Sequence, residues 1–223
     1  MYEDKEAWYY AFVRKDIEGL LPQRSARVLE VGCGGGGTLG WLKESGRADW
    51  TAGIELSPEA SAVARTRVDE VQCGDANELL ANFSEASFDL VLCLDVLEHL
   101  TDPWATLSKI QTLLRPGGRL ITSLPNVRHH SVVLPLLFRG HWEYKEAGIM
   151  DRTHLRFFSR RGISALMRGA GLHEVRALPT YTWGSWDKWK DRLSFGLLRG
   201  LLAFQYLILA ERPLAAERRP CAL

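Results

Sequence analysis

The amino-acid sequence predicts an α/β protein built on a doubly wound, mostly parallel sheet of seven strands. Three observations carry that expectation: short apolar runs recur along the chain, helix-like stretches separate them, and proline or glycine sits at the joints. Continuous apolar runs without strict alternation suit strands covered on both faces, and strands alternating with helices favour parallel pairing.

Taken in order, an aromatic helix is expected over residues 7–20. Strands follow at 28–31, 51–56, 70–73, 88–94 and 120–124, where β-branched and apolar residues concentrate. Ser57-Pro58 and Asp102-Pro103 each place a capping side chain before a proline at the first helical position. A short helix fits 77–81. The run Leu113-Leu114-Arg115-Pro116-Gly117-Gly118 stops one helix and turns into the next strand. Beyond Leu124 the pattern loosens, and residues 126–158 read as an insertion rich in His, aromatic and apolar residues. A helix over 160–171 capped by Ser159, a strand at 174–178, a Trp-rich helix at 185–198 and a last strand at 204–210 complete the series.

The 223 residues suffice for one substantial core, so a single domain over 1–223 is expected. Its parts are an N-terminal helix (1–26), a cofactor-binding half (27–125), an acceptor-covering insertion (126–158) and the C-terminal half of the sheet (159–212). Hydrophobic residues make up 46%, charged residues 25%, and the formal net charge is +1. Bulk electrostatics therefore suggests neither a nucleic-acid partner nor a membrane surface. Cys33, Cys73, Cys93 and Cys221 form no CxxC pair and no clustered His ligands accompany them, so no metal site and no disulfide framework is expected. That usage suits a reducing, cytoplasmic location. Glu3, Asp4 and Glu6 stand where a signal peptide would be basic. The Leu-rich stretch 193–210 is interrupted by Gly196, Arg199, Gly200 and Gln205, which fits a helix and a buried strand better than a transmembrane segment.

The strongest chemical signal is Val28-Leu29-Glu30-Val31-Gly32-Cys33-Gly34-Gly35-Gly36-Gly37-Thr38, a strand running into a glycine loop and a helix. Gly32, Gly34 and Gly37 satisfy GxGxxG, so a dinucleotide site must be weighed. A dinucleotide lays a pyrophosphate on the helix N-terminus, where amides and dipole favour anions. Glu30 adds negative charge beside the loop, which opposes a pyrophosphate and suits the sulfonium and ammonium of S-adenosylmethionine (SAM). Glu55, ending the second strand, can accept from both ribose hydroxyls, although NAD sites use the same device. After the third strand, Asp75 could accept from an adenine amino group while the amide of Ala76 donates to a ring nitrogen. Alternatively, Asp75 caps the helix that follows.

Together, Glu30-Val-Gly-Cys-Gly-Gly-Gly, Glu55, Gly74-Asp75-Ala76, Phe88-Asp89-Leu90-Val91 and Leu114-Arg-Pro-Gly-Gly118 resemble the successive motifs of the class I SAM-dependent methyltransferases. The resemblance implies a Rossmann-like sheet with an antiparallel last strand and SAM as cofactor. It implies a cofactor shell of Glu30, Gly32, Cys33, Gly34, Glu55, Leu56, Asp75, Ala76 and Leu94. The segment Leu94-Asp95-Val96-Leu97-Glu98-His99 resembles the stretch bordering cofactor and acceptor, in a pattern shared with ubiquinone-type O-methyltransferases. Pro125-Asn126-Val127-Arg128-His129 and the run from Gly148 through Asp151 and His154 to Ser159 resemble bacterial methyltransferases of polysaccharide and glycan assembly.

Methyl transfer to a hydroxyl needs an aligned acceptor, exclusion of water and a base for the departing proton. His99, His154 and His129 are the candidate bases; loop ordering competes for each of them, with Arg152 and Arg156 flanking His154. Asn126 could touch the acceptor. Residues 132–138 with Trp142 and Tyr144 could cover it. Trp183, Trp186 and Trp189 recur three apart, a stripe that packing explains better than sugar stacking or a homodimer contact. The expected function is O-methylation of a small-molecule or glycan-linked hydroxyl. The alternatives are N- or C-methylation of a small metabolite, a nicotinamide oxidoreductase on the same loop, and a cofactor-binding module without turnover. The oxidoreductase lacks support, because no Tyr-x-x-x-Lys pair accompanies the loop.

Overall fold

The computed structural model describes residues 12–182 and 184–214. Seven strands form one sheet: β1 (Ser25–Val31), β2 (Ala48–Glu55), β3 (Glu70–Cys73), β4 (Phe88–Leu94), β5 (Leu114–Pro125), β6 (His173–Thr180) and β7 (Gln205–Glu211). Their spatial order is β3-β2-β1-β4-β5-β7-β6. β1 to β5 pair in parallel, and β7 runs antiparallel to β5 and β6, as expected for a last strand. Strand order reverses between β1 and β4, and the crevice above such a switch point is where open α/β sheets bind ligands.

Successive side chains on a strand point to opposite faces, so each central strand feeds two cores. Leu29, Val31, Val91 and Cys93 pack on one side with Leu107, Ile110, Ile163 and Met167. Val28, Leu90 and Leu92 pack on the other with Ile17, Leu39, Leu42 and Ala64. The helices covering the faces are α1 (Gly37–Glu44), α2 (Pro58–Ala64), α3 (Ala76–Leu79), α4 (Pro103–Leu113), α5 (His130–Arg139), α6 (Arg160–Gly169), α7 (Asp187–Leu193) and α8 (Arg199–Leu202). The expected caps are made: Ser57 Oγ accepts from Ala60 N, Asp102 Oδ1 from Ala105 N and Ser159 Oγ from Gly162 N.

Several expectations need correction. Of the helix expected over 7–20, residues 7–11 lie outside the described residues, 12–14 are not helical and only a 3-10 turn spans Lys15–Leu20. The glycine-proline turn after α4 is part of β5, which therefore starts at Leu114, opposite Phe88, and passes an irregularity before regular pairing. Within the insertion at 126–158, α5 occupies part of the first half, with Pro135 inside the helix. The Trp-rich helix is broken, because Phe195 and Gly196 both adopt left-handed φ (51° and 81°), which ends α7 and starts a turn into α8. Nor does its Trp stripe pack: Trp186 and Trp189 are exposed, while Trp183 lies outside the described residues. No helix among the described residues is long and apolar enough to cross a membrane.

Candidate active site

Above the β1–β4 switch point, the glycine loop folds in a way its sequence requires. Gly32 has φ 73°, and a Cβ there would lie 2.5 Å from Val96 Cγ2. At Gly36, also φ 73°, a Cβ would meet Val68 Cγ2 at 2.7 Å. Only glycine avoids both the left-handed penalty and the collision. Four of the loop amides already have protein acceptors. Gly32 N and Cys33 N donate to Ile54 O, at 2.8 and 3.1 Å, and Gly36 N donates to Cys33 O at 2.9 Å. Gly34 N donates to Glu55 Oε2 at 2.8 Å, so a carboxylate occupies the position from which this amide would meet a phosphate.

Glu55 closes a bracket between the loop and the β2–α2 turn, since its other oxygen accepts from Ser57 N at 2.9 Å. Each carboxylate oxygen has a second lone pair for an incoming hydroxyl. Leu56, next in the chain, is exposed at the rim. Asp75 is exposed and caps α3, with Oδ1 accepting from Asn77 N at 2.8 Å. Cys33 is buried against Gly53, and burial pushes its thiol pKa far above the ordinary value, so it is no nucleophile at neutral pH. Leu94 ends β4, buried beside this pocket.

Glu30 is 4% exposed and its Oε2 has no hydrogen-bond partner among the described residues. Burial pushes its pKa up to about 8; nearby Arg14 works against that rise and Glu55 adds to it. The negative charge anticipated at this position is therefore held back as a neutral carboxyl near neutral pH. A cationic ligand would draw it out.

The structure also brings in a residue that the sequence left unmarked. Arg14 donates to Asp16 and to Asp95, and lies near Ser123. Burial disfavours its charge, but these two carboxylates keep the guanidinium firmly protonated. Asp95 follows β4 with φ 56°, a strained position for a residue with a side chain. Ser123 Oγ holds it by accepting from Asp95 N and donating to Oδ1, each at 2.9 Å, and Gln205 donates to Oδ1 as well.

Beyond Asp95, a 3-10 turn over Leu97–His99 meets the end of the insertion. Glu98 O accepts from Leu155 N at 2.8 Å and Arg156 N at 3.0 Å. This juxtaposition stacks the His99 and His154 rings edge-to-face, with centroids 4.7 Å apart. His99 Nδ1 bonds Thr153 O at 3.1 Å and His154 Nδ1 bonds Ile149 O at 3.0 Å. A carbonyl only accepts, so each Nδ1 carries a proton, and in the neutral form of either ring the accepting nitrogen is Nε2. Glu98 is buried with neither carboxylate oxygen hydrogen-bonded among the described residues, and burial, then Asp95, raises its pKa well above the ordinary range. Donor atoms of Glu98, His99 and His154 lie within 4.8 Å of one another, a carboxylate–imidazole set able to hold a divalent cation.

His129 belongs to a different group. It caps α5 and clusters with His130 and Asp187, also within 4.8 Å. Burial, then His130, lowers its pKa to about 4, against the pull of Asp187. Asn126 is fully buried and its amide nitrogen donates to Gly200 O and Ala203 O, so it ties β5 to α8 and has no donor left for an acceptor. Asp151 accepts from Thr153 N and Oγ1 while Arg152 pairs with Glu146, which is the loop-ordering role weighed for this segment. Trp142 and Tyr144 pack on Phe157 at 5.3 and 6.2 Å.

Known methyltransferases match this chain over most of its length. The family model described as a methyltransferase domain matches residues 6–177. The ubiquinone biosynthesis O-methyltransferase of Xylella fastidiosa (strain 9a5c) is 34% identical over 206 residues, covering 83% of this chain and 78% of that protein. Its counterpart in Xanthomonas euvesicatoria pv. vesicatoria (strain 85-10) is 33% identical over 218 residues, covering 92% and 81%. Among solved structures, a SAM-dependent methyltransferase from Archaeoglobus fulgidus superimposes with TM-score 0.65 at 18% identity, covering 89% of this chain and 91% of that one. The [4+2]-cyclase SpnF superimposes with TM-score 0.60 at 17% identity, covering 86% and 77%. The cyclase is a reminder that the fold does not by itself fix the reaction.

Sheet, switch point and glycine loop define a nucleotide-type α/β enzyme. The sequence matches narrow it: the chain belongs to the class I SAM-dependent methyltransferase superfamily, through a methyltransferase domain. It is a SAM-dependent methyltransferase, and SAM is its cofactor.

Proposed function

We propose that the protein methylates the hydroxyl of a small molecule. The chain acts as one domain over residues 1–223, with 126–158 covering the acceptor. Support for a hydroxyl comes from the O-methyltransferases it resembles at 33–34% identity and from the paired imidazoles at the carboxyl end of β4. A glycan-linked hydroxyl is the narrower form of the same reading, resting on the Asn126–His129 and Asp151–Ser159 stretches alone.

The single observation that carries the cofactor pose is the bond from Gly34 N to Glu55, in a loop where Gly32 N, Cys33 N and Gly36 N are also committed. Such a loop offers little to a pyrophosphate. In the proposed pose Gly32, Cys33 and Gly34 lie under the methionine moiety, Glu30 faces its positive groups and Arg14 its carboxylate. Glu55 holds the ribose, Leu56 and Leu94 line the adenosine, and Asp75 with Ala76 reads the adenine edge. Bound SAM supplies a methyl already activated on a positively charged sulfur. The acceptor oxygen forms its new bond to that carbon as the carbon–sulfur bond breaks, with the electron pair left on sulfur. The hydroxyl proton passes to Nε2 of His99 or His154. His129 is the weaker base, because its burial disfavours the protonated form.

Two outcomes check this assignment. With a hydroxyl acceptor that the parent turns over, His99→Gln or His154→Gln should slow transfer by roughly 10²- to 10⁴-fold while S-adenosylhomocysteine affinity stays as in the parent. EDTA treatment separates a base from a cation held by Glu98, His99 and His154, since only the latter loses activity on chelation. Turnover of amine acceptors alone would move the reading to N-methylation. For the cofactor end, Arg14→Gln should weaken SAM binding about tenfold or more by removing a charge-assisted contact, and unchanged affinity by calorimetry would remove Arg14 from the pocket.

A further inference from the structure

The surface formed by α7 and the turn after it is inverted relative to an ordinary surface helix. Its two acidic residues, Asp187 and Asp191, face inward and are buried. Asp187 Oδ2 accepts from His130 Nε2 at 3.3 Å, and Asp191 Oδ2 accepts from Tyr181 Oη at 2.5 Å and Arg199 Nε at 3.1 Å. Trp186, Trp189 and Leu193, spaced three and four apart, share the opposite stripe and face solvent. The exposed charges of the segment are all basic: Lys188, Lys190, Arg192 and Arg199. Arg192 lies over the Trp189 ring at 5.9 Å. The left-handed turn at Phe195–Gly196 then projects Phe195 and Leu197, which are 95% and 88% exposed. The inward Asp187–His130 bond fixes this element against α5, which itself exposes Leu137 and Phe138.

We infer that this face docks the enzyme on an anionic lipid bilayer, with Trp186, Trp189, Leu193, Phe195 and Leu197 entering the interface and the basic residues meeting the headgroups. An apolar stripe with Trp at its edge and Lys or Arg beside it is the make-up of helices that lie in a membrane surface. Each basic residue near an anionic leaflet adds attraction. Charge chooses this occupant over a second copy of the chain. In a two-fold contact the same patch faces itself, so Lys188 and Arg192 would oppose their own copies, whereas Lys190 and Arg199 are paired with Asp187 and Asp191. The overall charge of +1 concealed the patch, because the acids that balance it are elsewhere or turned inward. The inference is independent of the identity of the acceptor.

The full chain should cosediment with phosphatidylglycerol–phosphatidylcholine vesicles and much less with phosphatidylcholine alone, and added salt should release it. Phe195→Glu combined with Leu197→Glu should cut the bound fraction about tenfold or more. Lys188→Glu combined with Arg192→Glu should remove the preference for anionic lipid. S-adenosylhomocysteine affinity, unchanged in both variants, certifies the fold. The inference is overturned if the parent stays in the supernatant, or if the Phe195/Leu197 variant sediments as the parent does. It is equally overturned if light scattering shows a dimer that this variant dissociates, since the face would then belong to a second copy.

Discussion

Between the ordinary carboxylate range and about pH 8, the cofactor-free protein should lose on the order of 4 kcal/mol of folding stability through Glu30 alone. The sign follows from where the proton sits. The folded state keeps Glu30 protonated up to about 8, whereas the unfolded chain releases that proton near 4.5. Above the lower value the unfolded state binds fewer protons, so rising pH favours unfolding, and the loss levels off once the folded carboxyl ionises. Urea titrations at stepped pH measure this directly. Glu30→Gln, which stays neutral, should flatten that part of the profile and be the more stable protein at pH 8. The same proton links to the cofactor. A ligand that brings positive charge stabilises the ionised form, so SAM should bind more tightly as pH rises toward 8, releasing a proton detectable in buffers of different ionisation enthalpy. A parent and Glu30→Gln with superimposable pH profiles would show that the side chain is already charged, or does not face the ligand.

Glu55→Ala should weaken S-adenosylhomocysteine binding by roughly 1.5–3 kcal/mol, about 10- to 150-fold in Kd, from the loss of two charge-assisted bonds. Part of that loss arises within the protein, because Gly34 N and Ser57 N lose their acceptor at the same time. Glu55→Gln separates the two contributions. It can still accept from one amide while offering the ribose a weaker partner, so it should fall between parent and Ala in affinity while unfolding close to the parent. Equal affinity in all three proteins would exclude Glu55 from the cofactor site.

The alternating core was legible in the sequence because period and punctuation are local. The caps at Ser57, Asp102 and Ser159 could be read from neighbouring residues, and so could the loop that only glycine can form. Glu30, Glu55 and Asp75 announced themselves as polar residues ending apolar strands. Arg14 did not, since its partners Asp95 and Ser123 lie 81 and 109 positions away and nothing beside it hints at burial. The pairing of His99 with His154 reaches from the end of β4 to the last part of the insertion and rests on the backbone of Glu98, a contact without a local signature. The broken helix at Phe195 was missed for another reason: a left-handed phenylalanine contradicts its own propensity. The outward tryptophans were misjudged because a stripe at helical spacing says that one face is apolar, not which environment that face meets.

The sheet closes from its C-terminal end. β7 enters between β5 and β6, and among the described residues β6 borders no strand other than β7. During synthesis, a chain that has emerged only as far as β6 leaves that strand without a neighbour and the backbone of β5 bare, an edge open to pairing with other chains. The final strand, Gln205–Glu211, seals both together. Gln205, its first residue, is also the one that reaches Asp95, so completion of the sheet and completion of the pocket fall on the same few residues.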